Sequence, residues 1–255
     1  MASWDPEQYL KFGDERLRPA LDLIARIPHA APKRVVDLGC GAGNALPLLA
    51  ARFPGAQVQG VDGSAAMLAK AAAGGFATQQ ADIATWQPEA PVDVLFSNAA
   101  LHWLGGHAAL FPRLLGCLAP GGVLAVQMPA MNTAPVRAMQ EALASDSRFS
   151  PWLAGVRSSP PILPTADYYA LLRPRVATLD LWLTEYVHVL QGQDPVAQWA
   201  LGTSLRPYLE ALPEQHRGAF LAAYAESLRP HYPAQADDTV LLPFRRLFIL
   251  AQRAA

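Results

Sequence analysis

Residues 35–43 read Val35-Val36-Asp37-Leu38-Gly39-Cys40-Gly41-Ala42-Gly43, and this stretch constrains the fold more than any other part of the chain. A short apolar run ends beside an acid, three glycines follow at alternate positions, and residues 44–53 then have the character of a helix. Glycine admits backbone angles closed to other residues and lets a ligand approach the main chain. A strand that feeds such a loop and then a helix is how doubly wound α/β proteins bind nucleotide-like molecules.

The spacing separates two kinds of ligand. A dinucleotide fingerprint places its glycines as Gly-x-Gly-x-x-Gly and receives a pyrophosphate at the helix N-terminus. Here the spacing is Gly-x-Gly-x-Gly, with Asp37 two residues ahead of the first glycine. A carboxylate at the mouth of the loop repels a pyrophosphate and attracts a cation. S-adenosylmethionine (SAM) carries a sulfonium and an α-ammonium and no phosphate, so it suits this loop. The same spacing disfavours a nicotinamide-dependent dehydrogenase.

Strand and helix signals alternate through the first half of the chain. Strands are expected at 34–37, 57–62, 77–81, 92–98 and 121–128. Helices are expected at 44–53, 64–73 with Ser64 as N-cap, and 106–117. Alternation of this kind predicts a Rossmann-like α/β fold, a parallel sheet with helices on both faces. The first 30 residues read as helices, with Leu17, Leu21, Ile24 and Ile27 at helical spacing. After Pro129 the pattern breaks into a proline-rich stretch, 130–170, with one helix at 134–143. Residues 176–189 alternate in a β manner, 194–228 look helical, and 239–251 form a last strand, making seven strands in all. The chain therefore reads as one domain: a helical lid at 1–30, a core at 31–129, a variable insertion at 130–170, and C-terminal strands and helices at 171–255.

Composition narrows the partners. The 255 residues carry a formal net charge of −1, which gives no electrostatic case for nucleic acid or membrane lipid. The two cysteines, Cys40 and Cys117, have no metal-ligand spacing and form no disulfide framework, as fits a reducing cytoplasm. The start lacks the features of a signal peptide, and no uncharged apolar run is long enough to span a bilayer. Oligomeric state is not legible.

Other acids fall where such a cofactor needs them. Asp62 ends the second strand 25 residues after Asp37, where a carboxylate can accept from both ribose hydroxyls; otherwise it caps the next helix. Asp82, after the third strand, can accept from an adenine amine while the backbone N–H of Ile83 donates to a ring nitrogen; otherwise it is a surface turn acid. Asn98, His102 and Trp103 follow the fourth strand, at the carboxyl end of the sheet where ligands sit. His102 and Trp103 read equally well as structural residues.

Together, Asp37–Gly43, Asp62, Asp82-Ile83 and residues 118–126 resemble the ordered motifs of class I SAM-dependent methyltransferases. A closer resemblance is to the trans-aconitate 2-methyltransferase family. It is carried by Trp4-Asp5-Pro6, Tyr9-Leu10-x-Phe12, Glu15-Arg16-x-Arg18-Pro19, Ala81-Asp82-Ile83-x-x-Trp86-Gln87-Pro88 and Asn98-Ala99-x-Leu101-x-Trp103-Leu104. It continues in Gly122-Val123-Leu124-Ala125-Val126-Gln127-Met128-Pro129, Leu205-Arg206-Pro207 and Pro243-x-Arg245-Arg246-Leu247-Phe248-Ile249. Ala42 and Gly63 stand where the family often has Pro and Ser, and residues 130–170 match poorly.

This resemblance implies a mostly parallel seven-stranded sheet whose last strand is antiparallel, and methyl transfer to one carboxylate of trans-aconitate, giving an ester and S-adenosylhomocysteine. It implies a cofactor set of Asp37, Gly39, Cys40, Gly41, Asn44, Asp62, Gly63, Met67, Asp82, Ile83 and Asn98, and no metal. A carboxylate is already a nucleophile, so no general base is required, and alignment with exclusion of water carries the chemistry. The remaining carboxylates need cationic or polar donors. Candidates are Arg16, Arg206 and Arg246, with Tyr9, Tyr186 and His188 as neutral donors and His102, Trp103 and Gln127 beside them. Arg206, in the polar break at 203–207, comes first. Two readings stay open beside this one: another small carboxylic acid or acyl-carrier acceptor, and a SAM-binding protein without catalysis.

Overall fold

The computed structural model describes residues 13–156 and 159–255, with side chains from residue 17 onward. Helix α1 is Gly13–Ala25, and β1, Arg34–Leu38, follows it. Then come α2 (Leu46–Arg52), β2 (Gln57–Asp62), α3 (Ala65–Ala73), β3 (Ala77–Gln80), β4 (Val92–Asn98), α4 (His107–Gly116) and β5 (Leu118–Pro129). Helix α2 begins later than position 44 because residues 41–45 turn first and Pro47 occupies the first helical turn, where its missing N–H is harmless. Ser64 caps α3 as expected, its Oγ accepting the Met67 N–H at 3.4 Å.

Seven strands hydrogen-bond in the order β3-β2-β1-β4-β5-β7-β6. Strands β1 to β5 pair in parallel, and β7 (Val240–Gln252) runs antiparallel to β5. The chain moves outward from β1 to β3, then crosses back to lay β4 on the other side of β1. That reversal between β1 and β4 is the switch point where doubly wound sheets open a ligand crevice at their carboxyl ends. The loops there are 39–45 and 99–104.

Strand β5 departs from the expected start at 121: it begins at Leu118, opposite Val92, and shifts register before Val123 meets Val94. Gly121, at φ 73°, permits this irregularity inside a strand. In β6 (Thr178–Leu190) Leu183 is 53% exposed, while its neighbour Trp182 stacks flat on Phe248 with ring centroids 4.7 Å apart. A period of two puts adjacent side chains on opposite faces, and here the aromatic one has the partner.

The described chain divides into two compact units. One comprises residues 13–129, 161–184 and 246–255, and the other includes 130–160 and 185–245. The first packs Val35, Val94, Phe96, Leu124 and Ile249 in full burial about the centre of the sheet. The second holds α5 (Pro135–Ala144), α6 (Ser150–Leu153), α8 (Pro195–Leu201), α9 (Arg206–Ala211) and α10 (Glu214–Leu228). Its core gathers Phe149, Leu205, Tyr208, Phe220, Tyr224 and Leu242. Inside it Gln140 Nε2 donates to Ser204 Oγ at 2.7 Å and to Tyr224 Oη at 3.1 Å, and the Tyr224 hydroxyl donates to Val136 O at 2.7 Å. Helix α7 (Thr165–Leu172) belongs to the first unit. No helix among the described residues is long and apolar enough to cross a membrane.

Candidate active site

The glycine loop is shaped by what its glycines lack. Gly39, Gly41 and Gly43 have φ of 82°, 54° and 83°, in the left-handed region that disfavours a Cβ. A Cβ on Gly39 would stand 2.3 Å from Ala100 Cβ, and one on Gly43 would stand 2.8 Å from Ala71 Cβ. Gly41 differs: a Cβ there meets nothing within 4 Å, so the loop is open at its middle glycine.

Four N–H groups of the loop already have partners within the protein. Gly39 and Cys40 both donate to Val61 O, at 2.7 and 3.0 Å, and Gly43 donates to Cys40 O at 2.9 Å. Gly41 donates to Asp62 Oδ2 at 2.9 Å. A phosphate cradle needs such donors facing the ligand, and these four are taken. The geometry therefore agrees with the spacing in excluding a pyrophosphate site here.

What the site offers instead is a set of carboxyl groups. Asp37 is 2% exposed on β1, in register with Gly60 and Phe96. Burial, and secondarily the neighbouring Asp62 carboxylate, push its carboxyl up to about 8. An acid held protonated by desolvation ionises readily when a cation is brought beside it. Asp62 also accepts the Ser64 N–H on Oδ1 at 2.8 Å, so one carboxylate braces both the loop after β1 and the turn into α3. Four lone-pair sites minus two backbone bonds leave acceptor capacity for two ribose hydroxyls.

Asp82 is exposed and accepts the Ala84 N–H on Oδ1 at 2.8 Å, which shapes the turn around Ile83. Sequence reasoning missed Arg113 of α4, which donates to Ile83 O at 3.1 Å and to Trp86 O, fixing that turn from behind. A basic residue in the last turn of a helix carries no local signal of this role. Gly63 has only Ala81 O, at 3.8 Å, near its would-be Cβ, so the serine expected there would fit. Met67 is buried on α3 and Asn44 half-buried ahead of α2. The Cys40 thiol lies against Gly60, whose would-be Cβ is 2.7 Å from Sγ; burial and two nearby acids push its pKa up, so it is inert.

Beyond the loop, two amides lie side by side. Asn98 on β4 and Gln127 on β5 are register partners, and parallel pairing puts their side chains on one face of the sheet. Asn98 Oδ1 and both amide atoms of Gln127 are buried without a hydrogen-bond partner, and Gln127 is 0% exposed. Buried polar atoms of this kind are rare and call for an explanation. Gln127 pairs in turn with Phe248 on β7, and Arg246, 5% exposed, lies two residues away on the same face. Asp37, Asn98, Gln127 and Arg246 thus share one face of the sheet toward the carboxyl ends of β1, β4 and β5, Asp37 two residues short of the Asn98–Gln127 pair and Arg246 two residues past it. Next to Asn98, Ala99 holds φ 52°, a strained setting for a residue with a Cβ. His102 and Trp103 follow in a 3-10 turn, their rings 4.7 Å apart, with Trp103 41% exposed.

The other acceptor candidates are placed differently. Tyr186 and His188 are buried in the second unit, His188 against Trp199 and Phe244 at 5.9 and 5.7 Å. Arg206 starts α9 and bonds Glu210 through Nε at 2.7 Å, one turn on. Tyr9 lies outside the described residues, as does the side chain of Arg16 on α1.

A doubly wound sheet, an inward-bonded glycine loop and acids at three successive strand ends define a methyltransferase. Residues 9–159 match the family model of a methyltransferase domain. The fold is shared with a phosphoethanolamine N-methyltransferase 2 of Haemonchus contortus solved with S-adenosylhomocysteine, at a TM-score of 0.56 and 16% identity over 93% of this chain and 53% of that one. It is also shared with the YcgJ protein of Bacillus subtilis, at a TM-score of 0.60 and 16% identity over 93% and 99% of the two chains. The sequence is 50% identical to a trans-aconitate 2-methyltransferase of Methylobacterium nodulans over 99% of both chains. It is 48% identical to that of Paracidovorax citrulli over 100% of both. The chain belongs to the trans-aconitate 2-methyltransferase family.

Proposed function

We propose that this protein binds S-adenosylmethionine at the 39–45 loop and methylates one carboxylate of trans-aconitate. When bound, the cofactor supplies an electrophilic methyl carbon on a sulfonium. Asp37 and Asn98 would hold its charged methionine portion, Asp62 the ribose, and Asp82 with Ile83 the adenine.

The chain's residues need supply no general base. Carboxyl groups titrate at about 4, so the acceptor arrives as a trianion whose oxygens are nucleophiles at neutral pH. Its remaining charges must be matched in a site that excludes water. The observation that carries this reading is the grouping of Asn98, Gln127 and Arg246 on one sheet face beside the loop: a Gln127 amide with neither atom bonded, an unpartnered Asn98 Oδ1 and a buried guanidinium. A guanidinium binds carboxylate through paired N–H donors, and the Gln127 amide adds a neutral one. Trp103 and His102, on the following turn, cover the acceptor side.

The test is incubation with methyl-labelled SAM and a panel of di- and tricarboxylates. Labelled ester is expected from trans-aconitate. Absence of ester from every acid would overturn the proposal, and preference for another acid would move the acceptor.

A further inference from the structure

The turn that carries His102 and Trp103 is held from outside itself. Within it, Trp103 N–H donates to Ala100 O at 3.1 Å and Leu104 N–H to Leu101 O at 3.0 Å. Leu101 O has a second partner, His107 Nε2 at 3.0 Å, from the first residue of α4. A carbonyl only accepts, so Nε2 bears the proton. In the neutral ring Nδ1 is then an acceptor, and it meets the hydroxyl of Tyr168 on α7. The order of donors is fixed: the Tyr168 hydroxyl donates to Nδ1, and Nε2–H donates to the Leu101 carbonyl.

This chain is dry. Leu101 and Tyr168 are 0% exposed and His107 is 5% exposed, and Phe111 packs on both rings with centroids 5.3 and 5.1 Å away. Burial lowers the imidazole pKa, which keeps the ring neutral and the donor order intact. A pocket lined this way would accept Leu or Phe at lower desolvation cost if it only filled space. What the polar pair adds, beside a backbone contact to Leu104 at the end of the same turn, is a directed bond to the Leu101 carbonyl. That carbonyl lies two residues beyond Ala99, whose φ of 52° needs surroundings that hold it.

We infer that His107, oriented by Tyr168, is a positioning residue for methyl transfer: it fixes the Leu101 carbonyl and thereby the setting of the turn that presents His102 and Trp103 to the acceptor. The inference rests on the acceptor-side reading of that turn given above. It also gives a role to Tyr168, which falls within residues 130–170, the stretch that matches the family poorly.

The experiment compares His107→Leu, His107→Gln, Tyr168→Phe and Trp103→Ala in the full chain, measuring kcat and KM for trans-aconitate and the Kd for SAM. Tyr168→Phe and His107→Leu should lower kcat/KM at least about tenfold while the SAM Kd stays within about twofold. Gln can still donate to Leu101, so His107→Gln should recover most of the loss. Tyr168→Phe added to His107→Leu should change nothing further, since both act on one chain of bonds. Wild-type kinetics in Tyr168→Phe, a Gln variant as impaired as the Leu variant, or a SAM Kd that rises in step with the loss would each overturn the inference. If His107→Leu does not fold, Tyr168→Phe, which removes one oxygen, decides. Wild-type kinetics in Trp103→Ala would remove the acceptor-side reading and this inference with it. An impaired Trp103→Ala beside a normal Tyr168→Phe would remove this inference alone.

Discussion

Asp62 Oδ2 accepts the N–H of Gly41 at 2.9 Å, so an acid on β2 sets the middle of the loop that follows β1. Its second oxygen holds Ser64 at the start of α3. The residue therefore both shapes the loop and offers its spare lone pairs to a ribose. A hydrogen bond to a charged group contributes about 1.5–3 kcal/mol. Asp62→Ala should weaken SAM binding by about 10- to 100-fold. Asp62→Asn, which keeps one acceptor oxygen, should fall between. Calorimetric titration with SAM checks both, and an unchanged Kd in Asp62→Ala would remove Asp62 from the site.

The glycines of the loop should separate folding from binding. Gly39→Ala places a Cβ 2.3 Å from Ala100 Cβ at φ 82°. Left-handed strain of about 1–2 kcal/mol and overpacking of about 1–3 kcal/mol then combine. Gly41→Ala bears the strain alone, because nothing lies within 4 Å of the new atom. Thermal unfolding should show a much larger fall in Tm for Gly39→Ala. SAM titration should show Gly41→Ala losing affinity out of proportion to its stability, because its methyl group projects into the open side of the loop.

This contrast shows why the loop was legible before the structure. A glycine's freedom of φ is a property of the residue itself, so alternate glycines after Val35-Val36-Asp37 predict a left-handed loop without knowledge of what surrounds it. Strands β2 and β4 follow from local alternation and fall at their expected bounds. The start of β5 does not, because Leu118 is placed by its partner Val92 rather than by its neighbours in sequence. Long-range polar contacts were invisible for the same reason: His107 and Tyr168 are 61 residues apart, and Arg113 reaches Ile83 across 30. The Arg206–Glu210 ion pair, by contrast, was legible beforehand, because i,i+4 partners one helical turn apart stand in the sequence itself.

Cofactor binding should release a proton. Asp37 rises from 3.8 to about 8 in the folded protein because it is buried beside Asp62, so near pH 6 its carboxyl carries a proton. A cationic ligand favours the ionised form and expels that proton. Affinity for SAM should therefore rise with pH up to about 8, and the binding enthalpy at pH 6 should depend on the ionisation enthalpy of the buffer. The stability of the free protein moves the other way. A raised carboxyl pKa contributes stability that is full below 3.8 and lost as pH climbs through about 8. Asp37→Asn should flatten both profiles, and a SAM affinity that does not vary with pH in the unaltered protein would contradict the coupling.

Gln127 should exchange stability against activity. Its amide is fully buried with neither atom hydrogen-bonded, in register with Asn98, whose Oδ1 is also unpartnered. A buried polar group left unsatisfied is destabilising by about 1–3 kcal/mol, and an apolar side chain of similar shape removes that penalty. Gln127→Leu should thus keep or raise the Tm, by a few degrees for a chain of this size. If the amide is held ready for an acceptor carboxylate, the same change should raise KM for trans-aconitate by about tenfold while SAM affinity stays near its original value. A purely structural amide would give the Tm gain with unchanged KM. Arg246→Met supplies the companion measurement: it removes the buried guanidinium on the same sheet face, and its effect on KM should exceed that of Gln127→Leu because a charge is lost rather than a neutral donor.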